Sequence, residues 1–150
     1  KEAVKHRGTS FVEIYQNCNI FNDGTFSPIY ERRVREDRIL HLKHGEPFIF
    51  GKNQNKGIRL NGLKPEVVEL ENGFNRDELL RHNQYSSDST LANLLSNFNY
   101  PEFPVPMGVL RQINNSTYGE IIEKQINSQL DKLGEGKLTD LLRGTHVWTN

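Results

Sequence analysis

The sequence predicts an α+β fold: the last helix turn and strand of a parallel α/β unit, followed by a small antiparallel sheet and C-terminal helices. Three observations predict it. A charged segment ending at a glycine (1–8) runs directly into an apolar, β-branched segment (9–16). Four short strand-like segments separated by glycine-containing turns occupy the middle of the chain. Helix-capping patterns occupy much of the remainder.

The first strand determines how the N-terminal end is interpreted. Residues 1–7 are mostly charged and Gly8 follows them, a pattern typical of the end of a helix. Residues 9–16 read TSFVEIYQ, with one charge at Glu13, which favours a central strand covered on both faces. Because the rest of such a sheet is missing and the chain begins without methionine, we expect a fragment. On its own it should self-associate, or its C-terminal helices should cover the strand.

The middle of the chain predicts a small antiparallel sheet. A polar connection spans residues 17–37 and contains a short helix after Pro28. Residues 38–51 predict a hairpin that turns at His44-Gly45-Glu46. The glycine-bounded stretch GKNQNKG (51–57) predicts a solvated hairpin loop rather than a phosphate-binding loop. The two further predicted strands span residues 57–62 and 65–70.

Helix signals dominate the second half. Asn75 and Ser89 can each cap a short helix. Thr117 followed by Glu120 forms a capping box, and the helix that it opens ends at Gly134. The apolar stripe of this helix, which predicts a core or a contact between subunits, comprises Ile122, Ile126, Leu130 and Leu133.

Three other segments complete the prediction. Three prolines exclude regular helix or central strand from residues 100–106. Residues 107–113 predict a strand, and residues 137–144 predict a last short helix before a C-terminal tail.

Composition excludes several classes of function. The 150 residues carry 19 Lys and Arg and 19 Asp and Glu, and no stretch concentrates the basic ones, so nucleic acid is not an expected partner. No apolar run is long enough to cross a membrane, and the polar start does not resemble a signal peptide. A single cysteine excludes an internal disulfide and favours a reducing cytoplasm.

That cysteine, Cys18, is the main candidate for chemistry. It follows the predicted strand 9–16, and ligands of open α/β sheets bind beyond the carboxyl ends of strands. A buried structural thiol, a nucleophile paired with a histidine, and a metal ligand all remain open from the residues alone. The histidines, which show no metal-binding spacing, are His6, His41, His44, His82 and His146.

A second pattern imitates a cofactor motif. Asp23-Gly24, with Asn53 and Asn55 about thirty residues later, resembles the magnesium-diphosphate motif of thiamine enzymes. A predicted hairpin intervenes and Asn22 replaces the leading glycine, so an Asx-type turn is the favoured interpretation.

Several stretches resemble one enzyme family. GTSFVEIYQNCNIFNDG (8–24) resembles the end of the thiamine-diphosphate domain in β subunits of 2-oxoacid:ferredoxin oxidoreductases. LKHGEPFIFG (42–51) and NKGIRLNGLKPEVVEL (55–70) resemble the segment that follows it. FPVPMGVLR (103–111) and the ending LLRGTHVWTN (141–150) fit the same C-terminal region, in the branch that acts on 2-oxoglutarate and related acids.

The resemblance implies a role in a larger enzyme. Residues 1–17 would end the thiamine-diphosphate domain, and residues 18–150 would form the C-terminal region of the β subunit. The full enzyme would decarboxylate a 2-oxoacid oxidatively, using thiamine diphosphate, Mg²⁺, coenzyme A and a [4Fe–4S] cluster that passes electrons to ferredoxin. Cys18 matches the fourth cluster ligand, although Asn17 stands where relatives commonly have proline.

The same resemblance implies that this chain is inactive and holds no cofactor by itself. The other cluster ligands and the magnesium motif would lie upstream, and an α subunit would complete the enzyme. Two alternatives remain from the sequence: a non-catalytic interaction or binding module, and a cysteine hydrolase that pairs Cys18 with a histidine.

Overall fold

The computed structural model describes residues 1–71 and 73–144. By internal contacts the chain divides into a terminal unit (1–11 with 114–150) and a central unit (12–113). In chain order the elements are α1 (Glu2–Lys5), α2 (Ser27–Tyr30), α3 (Arg35–Arg38), β1 (Ile39–His41), β2 (Ile49–Phe50), β3 (Lys56–Asn61), β4 (Lys64–Glu69), a 3-10 turn (Arg76–Glu78), α4 (Thr90–Ser96), β5 (Val105–Met107), α5 (Tyr118–Leu133) and α6 (Leu138–Arg143). The mixture confirms the predicted α+β class.

The central unit contains two small sheets. β1 pairs in parallel with β5, with Leu40 opposite Pro106. β2, β3 and β4 form an antiparallel sheet in that order. Pro106 is tolerated because β5 pairs with only one neighbour, so its missing N–H can face away from the ladder.

The apolar core lies where these sheets meet α4. The strands and the residues next to them contribute one set of buried side chains, and α4 with its C-terminal flank contributes the other. The buried cluster comprises Leu40, Leu42, Phe48, Phe50, Ile58, Leu95 and Phe98. Phe98 and Phe103 stack with their ring centroids 4.6 Å apart. Burial of these apolar side chains is the main driving force for the fold of this unit.

The β3–β4 hairpin confirms a prediction. Asn61 pairs with Lys64 at its end, so Gly62 and Leu63 form a two-residue loop, and Gly62 has a φ of +63°. Glycine adopts this backbone region without the strain that a side chain would cause. Across the hairpin, Arg59 Nε donates to Glu66 Oε1 at 2.6 Å.

Other predicted elements are confirmed at the same positions. α2 begins at Ser27 with Pro28 in its first turn. Asn75 caps the 3-10 turn by accepting a hydrogen bond from the Asp77 amide. Ser89 stands at the N-cap position of α4, but its side chain makes no cap hydrogen bond, and Asp88 accepts from the Thr90 amide instead. The loop 51–57 connects β2 with β3, as a solvated hairpin loop should.

The predicted hairpin over residues 38–51 is wrong in its pairing. A turn does lie at Lys43–Glu46, where the Glu46 amide donates to the Lys43 carbonyl. The flanking strands, however, belong to different sheets, because β1 pairs with β5 while β2 pairs with β3. The segment after the turn binds the stretch around Arg81 instead, with the Phe48 amide donating to the Leu80 carbonyl at 2.8 Å.

The predicted strand 107–113 is also wrong. β5 ends at Met107, and residues 109–113 form no regular strand. Gly108, at a φ of +140°, turns the chain where a Cβ atom would lie 3.0 Å from the Leu42 carbonyl oxygen. Past this turn the Gln112 amide donates to the Gln84 carbonyl at 2.7 Å. The backbone of Gly108 therefore lies close to Leu42, and the pairing of β1 with β5 ends at Met107, just after Pro106.

The largest correction concerns residues 9–16. They form no strand, and the side chains of Phe11 and Ile14 are 91% and 74% exposed. A strand exists only through hydrogen bonds to a neighbouring strand, and no described residue supplies one here. Residues 9–11 belong to the same unit as the C-terminal helices, and these helices do not cover them, contrary to expectation. Self-association stays a prediction.

The terminal unit contains α1, α5 and α6. The predicted capping box is confirmed, since the Glu120 amide donates to Thr117 Oγ1 and the Thr117 amide donates to the Glu120 carboxylate. Glu120 also forms an ion pair with Arg7. The apolar stripe of α5 is not packed into a core in the described chain, since Ile126, Leu130 and Leu133 are all exposed. The predicted tail at 145–150 lies outside the described residues.

Candidate functional site

Cys18 lies at the start of a tight loop in the central unit. Its side chain is half-buried, and the thiol is free. The Asn22 amide donates to the Cys18 carbonyl at 2.9 Å, and the same two residues form an isolated antiparallel bridge. The chain therefore closes on itself over five residues. The sequence had predicted that Cys18 follows directly on the end of a strand, but residues 9–16 form no strand.

The backbone that follows Cys18 affects its thiol. The pKa of Cys18 is lowered by hydrogen bonding from the backbone of Phe21 first, then of Ile20 and Asn22. Such bonds favour the thiolate because donors stabilise its negative charge, while partial burial acts in the opposite direction. Thiolate is the form of cysteine that binds metals.

Asn17 holds this loop closed. Its Nδ2 donates to Asn19 Oδ1 at 2.6 Å and to Asp23 Oδ1 at 2.8 Å. Its Oδ1 accepts a hydrogen bond from the Gly24 amide at 2.8 Å. One side chain thus connects both ends of the loop that follows it.

The loop is anchored further along the chain. Gly24 has a φ of +74°, and its carbonyl accepts a hydrogen bond from the Ser27 amide at 2.9 Å. The rings of Tyr15 and Phe26 stack with centroids 4.8 Å apart. Contacts on both sides of Cys18 therefore tie residues 15–27 into one local structure.

α3 connects this local structure to the antiparallel sheet. The Gly51 amide donates to the Glu36 carbonyl, and the Lys52 amide donates to Asp37 Oδ1, both at 3.0 Å. Arg38 donates to the Pro28 carbonyl, and its guanidinium lies 4.5 Å from the Tyr100 ring centroid. Within the central unit, α2 and α3 thus connect the loop that contains Cys18 to the antiparallel sheet.

Two large apolar side chains flank the thiol on the loop. Ile20 and Phe21 are 84% and 89% exposed. Both side chains contact solvent. Exposed apolar residues of this size next to a cysteine are typical of a surface that another structure covers.

The histidines do not complete a site with Cys18. His82 is buried and its Nε2 lies 2.8 Å from the Val109 carbonyl. His44 packs edge-on against Tyr85, His41 is exposed, and His146 lies outside the described residues. No histidine in ranges 1–71 and 73–144 hydrogen-bonds the thiol, so the geometry does not support a cysteine–histidine hydrolase.

A metal ion would need ligands from elsewhere. Within the described ranges no three His, Cys, Asp or Glu side chains group as a metal site. Asp23 and Gly24 lie in the turn that Asn17 closes, which agrees with the Asx-type interpretation rather than a magnesium motif. Among the described residues Cys18 therefore offers one sulfur atom, with no further His, Cys, Asp or Glu side chains grouped around it as a metal site.

Comparison with known proteins finds a relative of the kind that the sequence predicted. A 2-oxoglutarate oxidoreductase subunit, KorB, from Mycobacterium tuberculosis is 31% identical over 152 residues, which cover 99% of this chain. The chain is a homologue of this 2-oxoacid oxidoreductase β subunit. This similarity agrees with the family predicted from the sequence. No family model matches the chain, and no solved structure matches it.

The matched region is only part of the mycobacterial protein. The chain spans 40% of the length of the mycobacterial protein. No helix in the described part of the chain is long and apolar enough to cross a membrane.

The sequence singled out Cys18, whose role stays a prediction, but did not indicate which residues close its loop. The backbone groups that lower the pKa of the thiol carry no signal in their residue types. Asn17 stood out only as a departure from proline. The density of asparagines around the cysteine was the available signal, because asparagine side chains hydrogen-bond nearby backbone and close tight loops.

Proposed function

We propose that this chain is the C-terminal part of the β subunit of a 2-oxoacid:ferredoxin oxidoreductase. The observation that supports this most is the homology to the mycobacterial protein over nearly the whole chain. The complete enzyme would decarboxylate a 2-oxoacid, with 2-oxoglutarate the expected substrate, and transfer the acyl group to coenzyme A. The electrons released would go to ferredoxin, and the reaction would take place in the cytoplasm.

Within that enzyme, Cys18 would be one ligand of a [4Fe–4S] cluster. The donor set agrees with this role, because clusters are held by cysteine thiolates and tuned by hydrogen bonds to sulfur. The backbone of Phe21, Ile20 and Asn22 lowers the pKa of the Cys18 thiol, which favours the thiolate that such a ligand needs. The remaining cluster ligands, thiamine diphosphate and Mg²⁺ would be held by the rest of the β subunit, and an α subunit would complete the assembly.

Residues 1–17 would end the thiamine-diphosphate domain, with residues 18–150 forming the C-terminal region. The exposure of Phe11, Val12 and Ile14 supports this proposal. An apolar run of this kind is stabilised when a neighbouring strand and covering helices pack on it. In the complete β subunit, residues 9–16 would then pair as the strand that their composition predicts.

The test uses the complete β subunit that contains this chain, purified anaerobically with its α partner. Cys18→Ala should lose cluster iron and should lose reduction of methyl viologen driven by 2-oxoglutarate and coenzyme A. Asn53→Ala is the control, because Asn53 belongs to the sequence pattern that imitates a magnesium motif. It should retain iron, thiamine diphosphate and activity.

Full iron content and full activity in Cys18→Ala would make Cys18 a structural thiol and would remove the cluster assignment. Reduction of viologen by neither protein, with any 2-oxoacid, would contradict the proposed reaction itself. The isolated 150-residue chain should be inactive in the same assay.

A further inference from the structure

His82 joins two separate stretches of the central unit. Its ring Nε2 lies 2.8 Å from the Val109 carbonyl oxygen, which can only accept, so the neutral ring donates from Nε2. The His82 amide donates to the Glu46 carbonyl at 2.9 Å, and the His82 carbonyl accepts from the Gly45 amide at 2.8 Å. One residue therefore connects the turn at 43–46 with the segment that contains Val109.

Further hydrogen bonds attach residues 82–84 to residues 109–112. The Gln112 amide donates to the Gln84 carbonyl at 2.7 Å, and Gln84 Nε2 donates to Gln112 Oε1 at 3.0 Å. These two stretches are here named the clasp. The ring of His82 closes one end of the clasp, and the pair of glutamines closes the other.

The second ring nitrogen of His82 is buried without an acceptor for a further proton. Only 2% of the residue's surface is exposed, and Nδ1 has no hydrogen-bond partner among the described residues. The ring of Phe48 packs beside it, with centroids 6.1 Å apart. A protonated ring would place a charge and an unpaired N–H in this environment, so protonation favours a ring that has moved into water.

The charged groups on the surrounding segments do not offset such a proton. Lys43 and Glu46 pair with each other at 3.6 Å. Arg81 pairs with a carboxylate on its own segment at 3.4 Å, and Arg111 Nε donates to a backbone carbonyl at 3.0 Å. Burial lowers the pKa of the ring most, and the charge of His44 lowers it further.

We propose that His82 is a pH-sensitive latch on the clasp: a neutral ring keeps its two stretches joined, and protonation lets them separate. The proton passes from solvent to Nδ1 of the exposed ring, and water replaces Nε2 as the donor to the Val109 carbonyl. The pairing of β3 with β4 involves neither stretch, so the clasp can open while this hairpin stays intact. The inference does not depend on the proposed enzymatic function.

The expected size of the effect follows from proton binding. A histidine in the open clasp is exposed and has an ordinary pKa of about 6.5. Its proton binding stabilises the open form below that pH, whereas the closed form excludes the proton. Acidification from pH 7.5 to pH 5.5 should therefore increase the open fraction about tenfold, and the closed clasp should be most stable above pH 7.

Hydrogen exchange of the complete β subunit, followed by mass spectrometry of peptides that cover 43–48 and 109–113, tests the latch. Opening constants at the two pH values are compared after correction for the intrinsic exchange rate. Wild type should open about tenfold more often at pH 5.5 in both peptides. His82→Gln should change by at most about twofold, because glutamine can donate to the Val109 carbonyl but binds no proton.

His44→Gln is the matched control, since it removes the other titratable ring close to His82. It should keep most of the tenfold change. A series in low urea separates local opening from complete unfolding, because opening that exposes little surface depends weakly on urea. Exchange in the two clasp peptides should therefore stay nearly constant below the unfolding transition.

Each contrary result overturns the latch. Equal pH dependence in wild type and His82→Gln removes His82 as its cause, and loss of the dependence in His44→Gln assigns the switch to His44 instead. Clasp peptides that follow the urea dependence of β3 would show that the stretches separate only when the whole unit unfolds. A wild-type protein whose opening does not change between pH 7.5 and pH 5.5 contradicts the proposal without any variant.

Discussion

At the scale of single residues, His82 is the most buried polar side chain of the central unit, with 2% of its surface exposed. Its Nε2 contacts the Val109 carbonyl at 2.8 Å, while its Nδ1 is buried without a hydrogen-bond partner among the described atoms. The neutral ring therefore donates from Nε2. Burial lowers the pKa of His82 below its usual value, and the proximity of His44 adds to this effect.

His82→Leu should lower the free energy of unfolding at pH 7.5 by roughly 1–3 kcal/mol, because the Val109 carbonyl loses its partner. The difference in the free energy of unfolding between wild type and His82→Leu should be smaller at pH 5.5. The unfolded chain binds a proton at His82 as the pH falls through about 6.5, whereas the folded chain resists it, so wild type loses stability in this window. Urea unfolding at the two pH values measures both effects.

The matched control for this prediction is His41→Leu, since His41 is exposed and makes no such contact. It should change the free energy of unfolding by at most about 0.5 kcal/mol. A difference between wild type and His82→Leu that widens on acidification would contradict the assignment of a neutral buried His82.

Only some residues of the candidate site could be singled out from the sequence. Cys18 was identifiable because one thiol in a polar loop after an apolar run is unusual. The role of Asn17 was not identifiable, because its partners Asp23 and Gly24 are fixed by how the loop closes. Any of the nearby asparagines could have made those contacts on residue type alone.

At the scale of elements, the pairing of β1 with β5 depends on Gly108. A Cβ there would lie 3.0 Å from the Leu42 carbonyl oxygen and 3.1 Å from the Leu42 Cβ, and the φ of +140° disfavours any side chain. Leu42 belongs to the buried core, and its amide donates to the Met107 carbonyl. Substitution would therefore disturb both the ladder and the core.

Gly108→Ala should lower the free energy of unfolding by about 1–3 kcal/mol through backbone strain and overpacking. Gly119→Ala is the comparison, because Gly119 lies in the first turn of α5 with open space around it. It should leave stability unchanged or raise it by up to about 1 kcal/mol, since alanine favours helix. Thermal unfolding followed by circular dichroism measures both, and equal effects of the two substitutions would argue against a special role for Gly108.

Elements with local signals were the ones predicted well. Residues close in sequence determine the capping box at Thr117 and Glu120 and the two-residue loop at Gly62, so both could be predicted. The pairing partners of β1 and β2 could not be predicted, because the sequence of two short strands on either side of a turn does not reveal whether they pair with each other. Here β1 pairs with β5, which lies far along the chain, so that Ile39 stands opposite Val105.

At the scale of the whole molecule, the chain exposes apolar surface that an isolated protein rarely leaves uncovered. Phe11, Val12, Ile14, Ile20 and Phe21 lie close together in sequence and are all exposed. Surface of this kind drives association with another chain or with the rest of a larger protein. Since the chain spans 40% of the mycobacterial protein, the proposed complete β subunit would supply that cover.

The 150-residue chain should therefore self-associate, with an average mass that rises with concentration in sedimentation velocity. Replacing both Phe11 and Ile14 by serine should shift it towards monomer, because two highly exposed apolar side chains are removed. Leu63→Ser is the control, since Leu63 is 95% exposed but stands alone at the β3–β4 turn. A wild-type chain that stays monomeric at high concentration would contradict the prediction.

The sequence alone predicted the α+β class, the caps at Asn75 and Thr117 and the turn at Gly62, because these depend on residue type and short spacing. Tertiary structure alone decided which strands pair, where the strand after the prolines ends, and how the Cys18 loop closes. Residues 9–16 show how a feature indicated by the sequence also depends on tertiary structure. Their composition specifies a strand, yet a strand forms only where a neighbour accepts and donates its hydrogen bonds, and the described chain provides none.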